Sequence, residues 1–264
     1  MKNPILFSEK LQWLKFYYTE EPLAWLAGDK FGLRQFLQQK NVSELAVPLI
    51  DVYRSADEID WEKLPNQFVI KKSNASGMNL IVKDKAAADQ TKCLSHIHNW
   101  MQKEFGEIGA ELHYKKMLPQ IIIEEYLENI EQDWKFFFLN GKPQLIQVNQ
   151  WADEEAAEIV SEPESILVWC DMAGKIEQVY SKYDLPTDAY QIGKNIQLPT
   201  YFDQMIEYGK ILSEDFPMVR VDFFYHAGKL YLSELTFTPG SGFRKFNDVI
   251  ERKLGQALVL PEWP

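Results

Sequence analysis

The run from Arg220 to Gly242, RVDFFYHAGKLYLSELTFTPGSG, leaves few choices of local structure. Two strand-like stretches flank a short turn, which reads as a β-hairpin. Side chains alternate along a strand, so Arg220 and Asp222 share one face of the first strand, and Glu234 and Thr236 share one face of the second. Asp222 and Glu234 lie equally far from Gly228, so they oppose each other across an odd-length loop, and Ala227-Gly228-Lys229 supplies one. Two opposed carboxylates about 4 Å apart repel by roughly 4 kcal/mol at an effective dielectric near 20. A shared proton offsets that repulsion, and so does a hard cation. The all-oxygen set Asp222, Glu234 and Thr236 suits Mg²⁺, while a solvated hairpin face is the plainer alternative. The next residues, Thr238 to Gly242, form a turn rich enough in Gly for its backbone to approach a ligand closely.

A chain of 264 residues buries about 75% of its unfolded surface, in one large domain or a few lobes. Its net charge of −11 argues against a nonspecific nucleic-acid surface and favours a small-molecule partner. Cys93 and Cys170 are the only cysteines and have no CxxC spacing, so a disulfide framework and a zinc site are both disfavoured. The start MKNPILFSEK has no long apolar core for export, and no apolar run is long enough to span a membrane, so the expected location is cytoplasmic.

In chain order, Ser8 is the expected cap of a helix carrying Leu11, Leu14 and Tyr18, and Asp29 that of a second helix carrying Leu33, Phe36 and Leu37, with a Pro22/Gly28 break between them. Strands are expected at 47–53 and 68–71. The polar loop Ser73 to Asn79 then leads to a strand at 80–83. That loop is either a phosphate cover, with Ser76 donating and Lys71 neutralising, or an ordinary hairpin turn. A helix is expected from Asp84 to about Phe105, then strands at 120–127, 133–139 and 142–148, with Asn140-Gly141 as a hairpin turn. A strand at 166–170, a helix at 201–215, the opening hairpin and a helix at 248–258 complete the chain. The fold class is α+β, in two lobes: a short helical segment 1–46, a small lobe 47–118 and a large lobe 119–264. A ligand belongs in the cleft between the lobes, with Lys71 on one side and Asp222 and Glu234 on the other.

This ordered set resembles the ATP-grasp superfamily, and more closely its teichuronopeptide-biosynthesis-type, TupA-like branch. The matching runs are Asp29-Lys30 with Arg34, FVIK ending at Lys71 with Ser76-Gly77, IIIEEYL ending at Leu127, Asp133 with Lys135, RVDF from Arg220, and ELTFTPGSG from Glu234. The resemblance implies that Lys30 and Lys71 contact ATP phosphates under a loop containing Ser76 and Gly77. It implies an adenine-binding hinge at Glu124, Glu125, Tyr126 and Leu127, with Asp133 at the ribose and Lys135 beside it. Asp222 and Glu234 match Mg²⁺ ligands, with Thr236 where many relatives have Asn, and Arg220 matches an arginine that steadies the transferred phosphate.

The implied activity is that of an ATP-dependent carboxylate–amine ligase that forms an amide through an acylphosphate. The biological setting implied is decoration of a cell-surface polysaccharide or its precursor with an amino acid or amine. The partners are then a small-molecule or glycan carboxylate and an amine, with Gly240, Ser241 and Arg244 as candidate substrate contacts. The alternatives are a small-molecule kinase of the same fold, a catalytically weakened nucleotide-binding protein, and a structural protein. Two stretches depart from the family pattern. Asn74 and Ala75 stand where relatives commonly carry a His and an extra Gly, and Asn149 to Asp171 lacks the usual Arg and His residues.

Overall fold

Strand pairing in a computed structural model of the protein sorts the chain into two antiparallel sheets. The structure describes residues 3–128, 130, 132–151, 159–160, 165–181 and 195–262. The first sheet has the order β1-β4-β2-β3-β7, built from β1 (Leu49–Tyr53), β2 (Phe68–Lys72), β3 (Asn79–Val82), β4 (Ile121–Glu125) and β7 (Ile159–Val160). The second has the order β11-β10-β5-β6-β8-β9, built from β5 (Gln132–Leu139), β6 (Lys142–Trp151), β8 (Ser165–Cys170), β9 (Ile176–Ser181), β10 (Met218–His226) and β11 (Lys229–Thr236). Strand β4 lies beyond the expected lobe boundary at 118, yet it pairs with both β1 and β2. The backbone therefore passes from one sheet to the other between Glu125 and Gln132.

The helices at the start of the chain pack on the six-stranded sheet. Helix α1 (Phe7–Thr19) buries Phe7, Leu11, Leu14 and Tyr18 in the same core as Trp134 and Phe137. Ser8 lies inside α1 and does not cap it. Glu9 takes that role, its carboxylate accepting from the Ile5 and Leu6 N–H groups at 2.8 and 2.9 Å. The Tyr18 hydroxyl donates to the Met218 carbonyl and accepts from the Met218 N–H at 3.1 Å, pinning α1 to the start of β10. The expected break at Pro22 is a helix instead, α2 (Pro22–Gly28). Proline suits the first turn because its missing N–H has no partner there anyway, and Glu21 accepts from the Leu23 N–H. Asp29 turns the chain into α3 (Gly32–Gln39), accepting from the Phe31 and Gly32 N–H groups at 3.0 and 2.8 Å.

On the five-stranded sheet, α4 (Gln90–Gln102) starts later than the apolar stripe suggests, because Asp89 caps it through the Lys92 N–H. The buried Lys72 ammonium donates to the carbonyls of Trp100 and Lys103 at its other end, where a cation complements the helix dipole. Helix α5 (Phe202–Ser213) crosses the six-stranded sheet at Gly209, where a Cβ would lie 2.2 Å from the Phe138 ring. Helix α6 (Asp248–Ala257), capped by Asn247, closes the chain. Among the described residues no helix is long and apolar enough to cross a membrane.

His113 sits in this interior, 1% exposed, with its ring against Tyr114 and its Nδ1 without a hydrogen-bond partner among the described residues. Burial lowers its pKa from 6.5 to about 4, so the folded protein holds it neutral over a range in which the unfolded chain protonates it. The unfolded state then binds more protons, and stability falls as pH drops below the unfolded value. Between about pH 7.5 and about pH 5 the parent loses roughly 2 kcal/mol from this group alone. Urea unfolding of the parent and of His113→Leu at both pH values checks it: the variant lacks that part of the loss, and equal losses contradict the assignment.

Candidate active site

The hairpin places Asp222 opposite Glu234 and Arg220 opposite Thr236, as the alternation requires, but by a different route. Its loop has two residues, Ala227 and Gly228, both with positive φ, and His226 pairs with Lys229. A β-bulge at Ser233 supplies the missing residue, because Asp222 faces Glu234 while Phe223 faces Leu232.

Strand β10 lies between β11 and β5, and this brings in a partner that hairpin parity alone does not show. Register places Gln147, Lys135, Asp222 and Glu234 in one row across β6, β5, β10 and β11. Lys135 Nζ lies 2.5 Å from Asp133 Oδ2 and 2.7 Å from Asp222 Oδ2. Arg220 grips Asp222 with both ends of its fork, Nε to Oδ1 at 2.7 Å and Nη2 to Oδ2 at 2.6 Å. The same Nη2 reaches Glu234 Oε1 and Thr236 Oγ1, each at 3.0 Å, and the Thr236 hydroxyl donates to Glu234 at 3.1 Å. At the other end, Gln147 donates to Asn149 at 2.8 Å, and Asn149 reaches Asp133 at 3.5 Å.

The repulsion between the paired carboxylates is thus offset by protein cations in this structure. Burial, with the charge of Glu234 opposite, pushes Asp222 up, towards about 6, against the pull of Arg220 and Lys135. Burial also opposes ionisation of Glu234, but Lys30, Arg220 and Lys135 outweigh it and hold that carboxyl down at about 2. The contacts favour ionisation of both at neutral pH, since each carboxylate has a cation within 3.0 Å.

As a seat for a divalent ion, Asp222, Glu234 and Thr236 have suitable oxygen chemistry. Both oxygens of Asp222 already accept from Arg220 or Lys135, and Asp222 is fully buried. Glu234 is the open member, its side chain 27% exposed. Among the described residues no group of three or more His, Cys, Asp or Glu is disposed to hold a metal. In kind the oxygens would suit Mg²⁺, with Glu234 the accessible member and Asp222 engaged by Arg220 and Lys135.

The five-stranded sheet supplies the facing wall. Lys71 on β2 makes a 2.6 Å ion pair with Glu124 on β4, and Arg34 on α3 holds the other Glu124 oxygen at 2.7 Å. Burial opposes ionisation of Glu124, yet Lys71 and Arg34 lower its pKa below the usual value. Lys30 donates from its backbone to the Ser73 carbonyl at 3.0 Å and from its side chain to the Ala75 carbonyl, so it pins the polar loop from beneath. Burial lowers the Lys30 pKa, and the charge of Glu234 raises it. A small, partly open depression lies here, lined by Lys30, Arg34, Lys71 and Glu124 with Leu232 and Ser233 of β11.

The remaining candidate residues divide. Ser76 and Gly77 sit exposed at the loop tip, with Gly77 at positive φ. Beyond Glu124, Glu125 is exposed, Tyr126 half-buried and Leu127 buried. Asp133 is 4% exposed, and its Oδ1 has no partner among the described residues, leaving one acceptor free for a hydroxyl. The Ser241 hydroxyl is already committed to Glu111 at 2.8 Å, and Thr238 donates to the other oxygen of that carboxylate. Arg244 lies over the Trp169 ring, 5.4 Å from its centre. Gly240 is exposed. Most of the divergent stretch after Trp151 lies outside the described residues.

Sequence reasoning missed Gln147, Asn149 and Glu111 as members of this region. The first two alternate with apolar residues in LIQVNQ, a period-two signal that marks one polar face. Glu111 left no such signal.

The family model described as TupA-like ATPgrasp matches residues 9–259. A search of curated proteins finds no match. The fold resembles the crystal structure of L-amino acid ligase from Bacillus licheniformis, at 13% identity and a TM-score of 0.50, covering 88% of this chain and 50% of that one. It also resembles the ADP complex of N5-carboxyaminoimidazole ribonucleotide synthetase, at 13% identity and a TM-score of 0.50, covering 91% of this chain and 52% of that one. The chain spans about half the length of these solved structures.

Proposed function

The chain belongs to the TupA-like ATP-grasp family, and from that premise we propose that it is an ATP-dependent carboxylate–amine ligase working in the cleft between its sheets. The observation that carries the reading is the charged row Lys135, Asp222 and Glu234, gripped by Arg220, with Lys30 close enough for its charge to act on Glu234 and Lys71 lining the depression beside Lys30. Such a site has cations to hold a triphosphate and carboxylates to hold Mg²⁺, and no nucleophile is needed to accept the phosphoryl group.

In this reading the adenine rests along the backbone from Glu124 to Leu127, the ribose meets the free oxygen of Asp133, and the exposed loop with Ser76 and Gly77 covers the phosphates. Lys71 leaves Glu124 for a phosphate oxygen, and Arg220 steadies the phosphoryl group in flight. Lys135 keeps Asp133 and Asp222 in place. Mg²⁺, when bound by Glu234 and Asp222 beside Thr236, screens charge on the phosphates. An acceptor carboxylate oxygen attacks the terminal phosphorus, the bond to the bridging oxygen breaks, and ADP leaves. The amine nitrogen then attacks the acyl carbon, the C–O bond to phosphate breaks, and the nitrogen loses a proton. The backbone at Gly240 and Ser241, with Arg244, borders the acceptor. Family membership supports a cell-surface polysaccharide or its precursor as the bearer of one reactant, and cytoplasmic action.

The test is hydroxylamine trapping. With Mg-ATP and a panel of amino acids, uronic acids and glutamyl compounds, a ligase yields a hydroxamate in step with ADP. A stable phosphorylated product that resists hydroxylamine supports the kinase of the same fold instead, and ADP formation with neither product contradicts both.

A further inference from the structure

We propose that Arg34 is a positioning residue of the nucleotide cleft: it shares the Glu124 carboxylate with Lys71, and so leaves Lys71 free to bind a phosphate. The inference rests on the nucleotide reading above and adds a residue to it.

Glu124 is a buried carboxylate with a different cation on each oxygen, Arg34 Nη2 at 2.7 Å and Lys71 Nζ at 2.6 Å. These two cations are not equivalent. Arg34 is anchored twice, because the same Nη2 donates to the Val47 carbonyl at 2.5 Å, and its planar guanidinium is charged at every working pH. Lys71 has Glu124 as its hydrogen-bonded anion, and an ammonium on a flexible stem moves more readily. A buried carboxylate with one cation holds it hard, since release leaves an unpaired charge in a poorly solvated place. With two, one departs and the other remains. Arg34 therefore lowers the cost of moving Lys71 from Glu124 to a ligand anion. Among the described residues its Nε is buried without a partner, and its side chain lines the cleft beside Lys30 and Lys71.

The experiment is a double-mutant cycle read by calorimetric titration with ATP in magnesium buffer. Arg34→Met weakens ATP binding about tenfold in the parent background, because Glu124 then keeps Lys71. In the Glu124→Gln background Lys71 is already released, and the same substitution changes affinity by less than about twofold. Arg34→Lys keeps a cation on Glu124 and binds ATP within about threefold of the parent. If the Met variant does not fold, Arg34→Gln, which keeps a donor but not the charge, takes its place with the same expected values. An Arg34 variant with parental affinity overturns the inference, and so does an equal loss in both backgrounds, which marks general damage to the cleft. A parent that binds no ATP overturns the nucleotide reading itself, and this inference with it.

Discussion

Arg220→Met unfolds in urea with about 3–5 kcal/mol less stability than the parent at neutral pH, the cost of removing one partner from a buried ion pair. Arg220 is the bidentate partner of a fully buried Asp222 and the nearest cation to Glu234. The methionine leaves Lys135 to serve Asp133 and Asp222 at once, and Asp222 again faces Glu234 without the guanidinium between them. Placing a neutral residue at Asp222 as well removes much of the conflict. Arg220→Met/Asp222→Asn is accordingly more stable than Arg220→Met alone, the coupling expected of residues in one network. A loss below about 1 kcal/mol for Arg220→Met contradicts the view that protein cations hold these carboxylates together.

The second large effect is on turnover. Glu234→Gln keeps the hairpin register and the shape of the side chain but gives up the charge that Arg220 pairs with, so stability falls by about 1–3 kcal/mol at neutral pH and the fold is kept. Activity, followed as ADP formation with an acceptor that gives hydroxamate, falls by roughly 10²–10³, the scale of losing one preorganised electrostatic element. The strengthening of ATP binding by Mg²⁺ disappears with it. Near-parental turnover in the variant removes Glu234 from the metal assignment.

The local half of this site was legible in the sequence, and the long-range half was not. Alternation fixed the facing of Arg220, Asp222, Glu234 and Thr236. The error in loop length did not move the pairing, because the bulge at Ser233 shifts register by one residue between the turn and the carboxylates. Nothing in the residues told which strand lies on the other side of β10. Lys135 and Asp133 therefore could not be placed on Asp222 from pattern, although both were picked out by family resemblance. The same gap explains β4: an apolar strand followed by Glu124 and Glu125 carries no mark of the sheet it joins. Helix α2 was lost because Pro22 reads as a breaker in isolation and as a first-turn residue only once Glu21 is seen to cap it. The hold of Glu111 on the Ser241 hydroxyl, a candidate substrate contact, left no local mark either, because the two are 130 residues apart in the chain.

In the proposed reading a nucleotide enters between Lys30 and Lys71 on one wall and the carboxylate row on the other. Thermal unfolding with and without Mg-ATP, on the parent and on Lys71→Met, tests it most directly. At about 100 times its Kd a specific ligand adds about 2.7 kcal/mol, a rise of several degrees for a chain of this size. The account predicts that rise in the parent and most of it lost in Lys71→Met, with the unliganded melting temperatures close together. A parent whose unfolding is indifferent to millimolar Mg-ATP, or a variant that gains the full rise, contradicts it.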